Sequence, residues 1–387
     1  MIKLLRVEYQ NIKLFKEGLI FDLTALDRIV DKNQVYIVSP AINLQKVIAL
    51  TGINATGKTT VLKLVQFATG LLSDNTYLSN EREQYSLFQE NSKIVIDFIV
   101  NDTIYRLESV IGIKKNSNNT LNHEKRFYYK KETILVKKST SVKLKKDLFN
   151  WSEYVQKIER ESLDKGLLEL LQDNQSIIVM KTKDIPCLSL SIFDFQSFKS
   201  LIRELPINLA FVNLFDDSIE TLEYKTNGSM NIKYKGNEQT LIIKDIDNID
   251  GLLSSGTLKG ILLLNSISFV LKRGGFLIVD EIADHLNKTL VQQIINLFMD
   301  RDINKQGAIL IFSTHYLELL DDVERKDAIY VLNRDAEYNI HFSRFSSRIR
   351  RNDIKKSEVL VSNYFGGTAP KYELIQRVIK LLKKEMN

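Results

Sequence analysis

Between the apolar run Val47-Ile48-Ala49-Leu50 and the helix-like run Val61-Leu62-Lys63-Leu64-Val65 lies Gly52-Ile53-Asn54-Ala55-Thr56-Gly57-Lys58-Thr59. This G-x-x-x-x-G-K-T spacing, in a strand, loop, helix setting, is suited to gripping a polyphosphate. Its glycines let backbone N–H groups curl around a phosphate with no Cβ in the way, and the helix N-terminus adds positive partial charge. Lys58 is expected to bridge the β- and γ-phosphates of a nucleotide, and Thr59 to give its hydroxyl oxygen to Mg2+. The expected nucleotide-binding set is Gly52, Asn54, Ala55, Thr56, Gly57, Lys58, Thr59 and Thr60.

Three further stretches could act on what such a loop holds. Phe276-Leu277-Ile278-Val279 runs into Asp280-Glu281. Asp280 is expected to hold Mg2+ through water, and Glu281 to polarise the attacking water. Alone, the two acids would read as a solvated strand end. A second apolar strand, Ile309-Leu310-Ile311-Phe312, ends in Ser313-Thr314-His315, which sets His315 to hydrogen-bond the γ-phosphate and sense its loss. Leu253-Ser254-Ser255-Gly256-Thr257 precedes a helix and offers a second anion site, although in isolation it is an ordinary N-cap. His123, His285 and His341 lack a partner pattern, so no metal cluster is expected. The lone Cys187 reads as buried filler.

These stretches need a scaffold, and 387 residues with 44% apolar content can bury one. The opening MIKLLRVEYQ lacks the apolar stretch of a secretory signal, and the run around Gly260 to Leu271 is too short to cross a bilayer. A cytoplasmic location with no membrane partner is therefore expected. The net charge of +6 is uneven: residues 114–146 hold eleven Lys and Arg against Glu124 and Glu132, a local +9, which leaves about −3 for the rest. Such a field attracts phosphates or an acidic surface. With Phe127, Tyr128 and Tyr129 interleaved, the segment could contact nucleic acid. The bland reading is a solvated strand edge. A second basic run holds Arg344, Arg348, Arg350, Arg351, Lys355 and Lys356.

Periodicity predicts strands at 4–9 and 19–23, a buried strand at 46–50, a helix at 58–72 and a hairpin turning at Asn101-Asp102. A helix over 148–171 and a strand pair about Asn227-Gly228 follow. The last third alternates in the α/β manner: helix 255–271, strand 276–279, helix 287–299, strand 308–312, helix 316–321, strand 328–332. Tyr372 to Lys384 is a candidate amphipathic helix.

In this order, the loop at 52–59, LSSGT at 253–257, Asp280-Glu281 and His315 resemble the motifs of ABC-type ATPases. The likeness is to the SMC, RecF, RecN and OLD-like branch rather than to transporters. The start, Leu5-Arg6-Val7-Glu8-Tyr9-Gln10-Asn11-Ile12, is similar to the strand and Asn turn that open such heads. The resemblance covers residues 1 to about 111 and 250 to about 335. Arg351-Asn352-Asp353 and Phe365-Gly366-Gly367-Thr368 are similar to C-terminal segments of stand-alone ATPases of bacterial anti-phage, abortive-infection defence.

The resemblance implies an α/β P-loop NTPase head of ABC type, a mixed sheet with an antiparallel N-terminal lobe, carrying an inserted α+β lobe. It implies ATP and Mg2+ as cofactors, hydrolysis by Lys58, Glu281 and His315, and a homodimer or higher oligomer. Ser254, Ser255 and Gly256 of one chain would then face the nucleotide of another, with ATP as glue and hydrolysis as release. The chain departs from the family pattern in reading LSSGT for LSGGQ and in holding Asn287 where a D-loop aspartate is usual. Gln89, Gln172 and Gln175 stay open as Q-loop glutamines.

The expected division is an N-terminal ATPase lobe (1–111), an inserted lobe with basic hairpin and helices (112–250), a C-terminal ATPase lobe (251–335) and a basic, helical extension (336–387). No sustained heptads fill the insertion. Some seventy residues follow His315, without the separated acidic motif of a TOPRIM nuclease, so a separate effector protein is the expected partner. The alternative is a RecF-like repair ATPase that binds DNA directly. A transporter subunit and a small-molecule kinase fit less well, the first for its poor LSGGQ match and the second for want of an acceptor pocket.

Overall fold

A computed structural model describes residues 1–73, 77–78, 86–115, 125–193, 207–244, 253–284, 286–335, 337–351, 354–366 and 372–385. The opening strands β1 (Ile2–Ile12) and β2 (Leu19–Asp22) pair antiparallel, and β3 (Val35–Ser39) and β4 (Ile42–Gln45) form a hairpin of their own. The buried strand β5 (Val47–Thr51) then leads through the glycine-rich loop into α1 (Lys58–Leu71). Next come β6 (Phe88–Val100), β7 (Thr103–Lys115), β8 (Lys125–Lys138) and β9 (Gln156–Glu159), completing an antiparallel sheet of order β2-β1-β6-β7-β8-β9.

The second sheet carries the chemistry. Its members are β10 (Ser189–Ile192), β14 (Phe276–Val279), β15 (Ile309–Thr314), β5, β16 (Ile329–Arg334) and β17 (Ile340–Arg344), in that order. All neighbours are parallel except the β16/β17 pair. Between β10 and β14 the chain makes a three-stranded antiparallel sheet, β11 (Ile219–Tyr224), β12 (Met230–Tyr234) and β13 (Thr240–Ile243), and then α2 (Ser255–Arg273). Helix α3 (Lys288–Met299) links β14 to β15, and α4 (Tyr372–Glu385) is the last described element.

Strands β5, β14 and β15 are buried at every position, which is why they are apolar up to the hydroxyls that end β5 and β15: a parallel sheet is covered on both faces. The pleat sends alternate residues into two cores. Phe276, Ile278, Ile309 and Ile311 join α1 and the antiparallel sheet, whereas Leu277, Val279, Leu310 and Phe312 join α2 and α3. Each such side chain contributes roughly 1.5–3 kcal/mol by leaving water, so the strand ends are held where the site needs them.

Three expectations are corrected. Residues 148–171 do not form one helix: 156–159 pair as β9 with β8, and only Lys165–Leu170 is α-helical. The three- and four-residue steps that read as a helix come from 3-10 turns and a loop whose apolar residues reach the core singly, Leu148 fully and Leu163 and Leu171 in part. The strand pair about Asn227-Gly228 gains a third strand, β13. The boundary expected between 111 and 112 falls inside β7, whose register with β8 runs from Thr103 to Lys115. The basic segment thus extends the N-terminal sheet.

Candidate functional site

The loop after β5 has a backbone that side chains would obstruct. Gly52 has φ +154, and a Cβ there would stand 2.3 Å from the Leu332 carbonyl oxygen of β16. Gly57, at φ +93, is the left-handed N-cap of α1. Ala55 is also left-handed, at φ +60, and its carbonyl accepts a hydrogen bond from Arg334 Nη2. Strand β16 thereby walls the loop on one side.

Lys58, only 6% exposed, donates from Nζ to the carbonyls of Gly52 at 3.0 Å and Ile53 at 3.3 Å, and lies 3.4 Å from His315 Nδ1. Burial lowers its ammonium below the usual lysine range, while Glu281 and Asp280 pull it back. An ammonium can only donate, so Nδ1 of His315 accepts and Nε2 carries the hydrogen. That nitrogen lies 2.8 Å from Glu281 Oε1, giving a chain Lys58, His315, Glu281.

The carboxylates are set by sheet register. Val279 is level with Phe312 in the β14/β15 ladder, so Asp280 and Ser313 follow side by side. Ser313 Oγ donates to Asp280 Oδ1 at 2.5 Å and accepts from the Glu281 amide at 2.8 Å. Thr59 Oγ1 donates to the other oxygen, Asp280 Oδ2, at 2.5 Å. Glu281 has φ +47, a left-handed backbone that costs a side-chain-bearing residue about 1–2 kcal/mol and is met where the surroundings hold it. Thr59 and Asp280 are adjacent hard oxygen donors, the kind Mg2+ takes. The positive-φ loop at a helix N-terminus has the form that cradles a phosphate.

The structure therefore brings Lys58, Thr59, Asp280, Glu281 and His315 together, as their spacing predicts. A family model described as "AAA domain, putative AbiEii toxin, Type IV TA system" matches residues 47–321, more than half of the chain. The chain belongs to this AAA domain family. The family match fits the α/β fold seen here, in which a glycine-rich loop follows a parallel strand of a six-stranded sheet. Among solved structures, an SMC head bound to the C-winged helix domain of ScpA is similar at 11% identity and TM-score 0.40, covering 90% of this chain and 99% of that one. CbiO1 from Clostridium perfringens, part of the ABC transporter complex cbiONQ, is similar at 12% identity and TM-score 0.31, covering 97% and 98%. No curated protein matches the sequence.

The LSSGT stretch of the AAA domain opens α2. Ser254 Oγ accepts from the Thr257 amide at 3.0 Å and lies 2.8 Å from Thr257 Oγ1, so it is an N-cap within its own chain. Gly256 lies in the first turn, and the side chain of Ser255 is outside the described residues. Among the described residues, no hydrogen bond joins Ser254, Gly256 or Thr257 to residues 52–60. Asn287 caps α3, its Oδ1 accepting from the Thr289 amide. Of the open glutamines, Gln89 donates from its side chain to Asn11 Oδ1, and the backbone carbonyls of Gln172 and Gln175 accept from Arg160.

Part of the basic charge is engaged within the chain. Lys114 and Arg126 pair with Asp173, Lys130 with Glu90, and Lys137 gives all three hydrogens to the carbonyls of Asp147, Leu148 and Asn150. Arg344 is drawn into Asp22, Thr24 and Tyr330, and Arg348 onto Phe365. His341 has partners after all, Asp335 at 2.9 Å and Glu17 at 3.3 Å. His123, Glu124, His285, Asn352, Asp353 and Gly367 lie outside the described residues. Cys187 is buried, and burial raises its thiol to about 12. No helix among the described residues is long and apolar enough to cross a membrane, and among them no group of His, Cys, Asp and Glu could hold a metal through three or more ligands.

Two site residues escaped the sequence reading. Ser313 was legible from its place two residues before His315 on the strand beside Asp280. Lys259, whose Nζ donates to the Glu281 carbonyl at 2.9 Å, had no motif to betray it.

Proposed function

We propose that the chain binds and hydrolyses ATP with Mg2+, assembles through its bound nucleotide, and in that state controls a separate effector protein in bacterial anti-phage defence. The observation that carries this reading is the junction of Lys58, Thr59, Asp280, Glu281 and His315 within hydrogen-bond reach across three parallel strands. Thr59 and Asp280 would hold Mg2+, which would neutralise phosphate charge and orient the γ-phosphate. Gly52 to Thr60 would cradle the phosphates by their amides, and Lys58 would leave its loop carbonyls for the β- and γ-oxygens. Glu281 would accept a proton from the attacking water, held in aim by His315 Nε2.

Assembly is inferred from the second anion site. Ser254, Ser255 and Gly256 form a helix N-terminus that would complete a nucleotide site in another chain, making a homodimer or larger ring. The family description, a putative toxin of a Type IV TA system, supports a defence setting. As units, we propose a head made of both six-stranded sheets, with the region around β11 to β13 as its insertion. Direct DNA binding by 114–146 is less well supported, because Lys114, Arg126, Lys130 and Lys137 are engaged within the chain.

Size-exclusion light scattering of Glu281→Gln with and without Mg-ATP tests the reading. An ATP-driven rise in mass, absent in Lys58→Ala, is expected. A monomer that binds ATP without assembling would remove the cross-chain site, and equal behaviour of the two variants would count against the assigned roles.

A further inference from the structure

Helix α2 begins with the LSSGT segment, and one turn further along it carries Lys259. The ammonium of this residue crosses to the end of β14, donating to the backbone carbonyl of Glu281 at 2.9 Å and lying 3.9 Å from Asp284 Oδ2. Its side chain is 17% exposed, so the stem is largely packed against its surroundings. The same Glu281 carbonyl accepts from the Asp284 amide at 2.9 Å, while the Glu281 amide donates to Ser313. Glu281 thus has three anchors on a left-handed backbone. Two of them come from the turn and the neighbouring strand, and the third comes from the helix that starts at Ser254.

A carboxylate at φ +47 is aimed by its backbone, and small rotations of that peptide swing the side chain relative to His315 and the loop. The other anchors, Ser313 and Asp284, belong to elements on the Glu281 side of the junction. Lys259 alone among the three sits on the element whose first turn would meet the nucleotide of another chain. Of the three hydrogen bonds on the Glu281 backbone, the one from Lys259 is thus the one that movement of α2 on docking would act on directly.

We propose that Lys259 is a positioning residue that links docking at Ser254 to Gly256 with the aim of Glu281, so that a site hydrolyses only once its own chain has engaged the nucleotide of its partner. This rests on the ATPase and assembly reading above, and it adds the route by which one site is informed about the other. It also explains why a lysine should be held inward at a helix face that otherwise packs Leu258, Ile261 and Leu262 into the core.

The test compares full-length wild type, Lys259→Met, which keeps most of the stem, and Lys259→Arg. ATP turnover is measured against concentration, and binding is measured separately with a fluorescent ATP analogue. Lys259→Met is expected to lower kcat at least tenfold, on the order of what one positioning contact supplies, with affinity within about twofold and the Hill coefficient reduced toward one. Lys259→Arg should restore part of kcat. Unchanged kcat in a folded Lys259→Met overturns the proposal, as does loss of affinity in step with kcat. A wild type that binds ATP without hydrolysing it would sink the hydrolysis reading instead. Hydrogen exchange then decides: ATP protection of amides 281–284 in wild type but not in Lys259→Met upholds the link, and equal protection overturns it. A wild type that binds no ATP sinks both.

Discussion

Two clusters of charge in this chain use similar residue types for different ends. At the junction of β5, β14 and β15, Glu281 is 47% exposed and His315 33%, and the Glu281 backbone is left-handed. In the antiparallel sheet, Glu132 is fully buried, paired with Arg160 at 2.6 Å, and accepts from Ser109, Ser176 and the Ile177 amide. Burial pushes the Glu132 carboxyl up, and Ser176, Ile177 and Arg160 pull it back. The second cluster spends its hydrogen bonds inside the chain and fastens 160–177 to β8. The first keeps its groups at an open strand edge, where an incoming ligand can exchange for a lysine's carbonyl contacts. What separates a site from a brace here is openness at a strand end, not charge.

Mutation should split the two clusters cleanly. The largest effect is expected for Glu281→Gln, a loss of about 10²–10⁴ in kcat with thermal stability unchanged, read by phosphate release beside a melting curve. Glu132→Ala should do the reverse: about 3–5 kcal/mol of stability lost to an uncompensated Arg160, seen in denaturant unfolding, with residual turnover per folded molecule preserved. If Glu132→Ala left stability intact, the contrast would fail. Ser254→Ala should cost about 1 kcal/mol as a lost N-cap, and a larger loss of ATP-driven assembly than that figure explains would mark the cross-chain role.

The smallest effect is a pH dependence at the rim of the loop. Asp335 is held down to about 2 by hydrogen bonds from Asn339 and His341, and His341 is raised chiefly by Asp335 and further by Glu17. The histidine's contribution is complete below its ordinary value of 6.5 and is lost as pH rises through the raised one. The aspartate's is present above 3.8 and is lost as pH falls through about 2. The melting temperature lost in His341→Gln should therefore be greater at about pH 5 than at about pH 8.

The site was legible because each of its parts ends a buried parallel strand. Apolar runs at 47–50, 276–279 and 309–312 announce such strands, and the polar residues after them must share one edge. Long-range pairing was not legible in this way. Nothing local tells Gln156 to Glu159 to seek β8, or tells the apolar steps from 148 to 171 that they belong to turns. Likewise the charge of 114–146 reads as a surface field throughout until Asp173, Glu90 and the carbonyls around Leu148 are seen to engage Lys114, Arg126, Lys130 and Lys137. Lys259 stayed hidden because its partner is a backbone carbonyl, which has no sequence signature.

The wall that β16 and β17 give the glycine-rich loop lies beyond the residues that the family model matches. That region stops at 321, yet Leu332 sets the space that Gly52 must leave empty, Arg334 grips Ala55, and Ile340 lies against Gly57. A fragment cut at the family boundary would retain every motif residue and still lose one side of its mould. The smallest piece worth expressing runs past Arg344, whose guanidinium ties the closing hairpin back to Asp22 near the start of the chain.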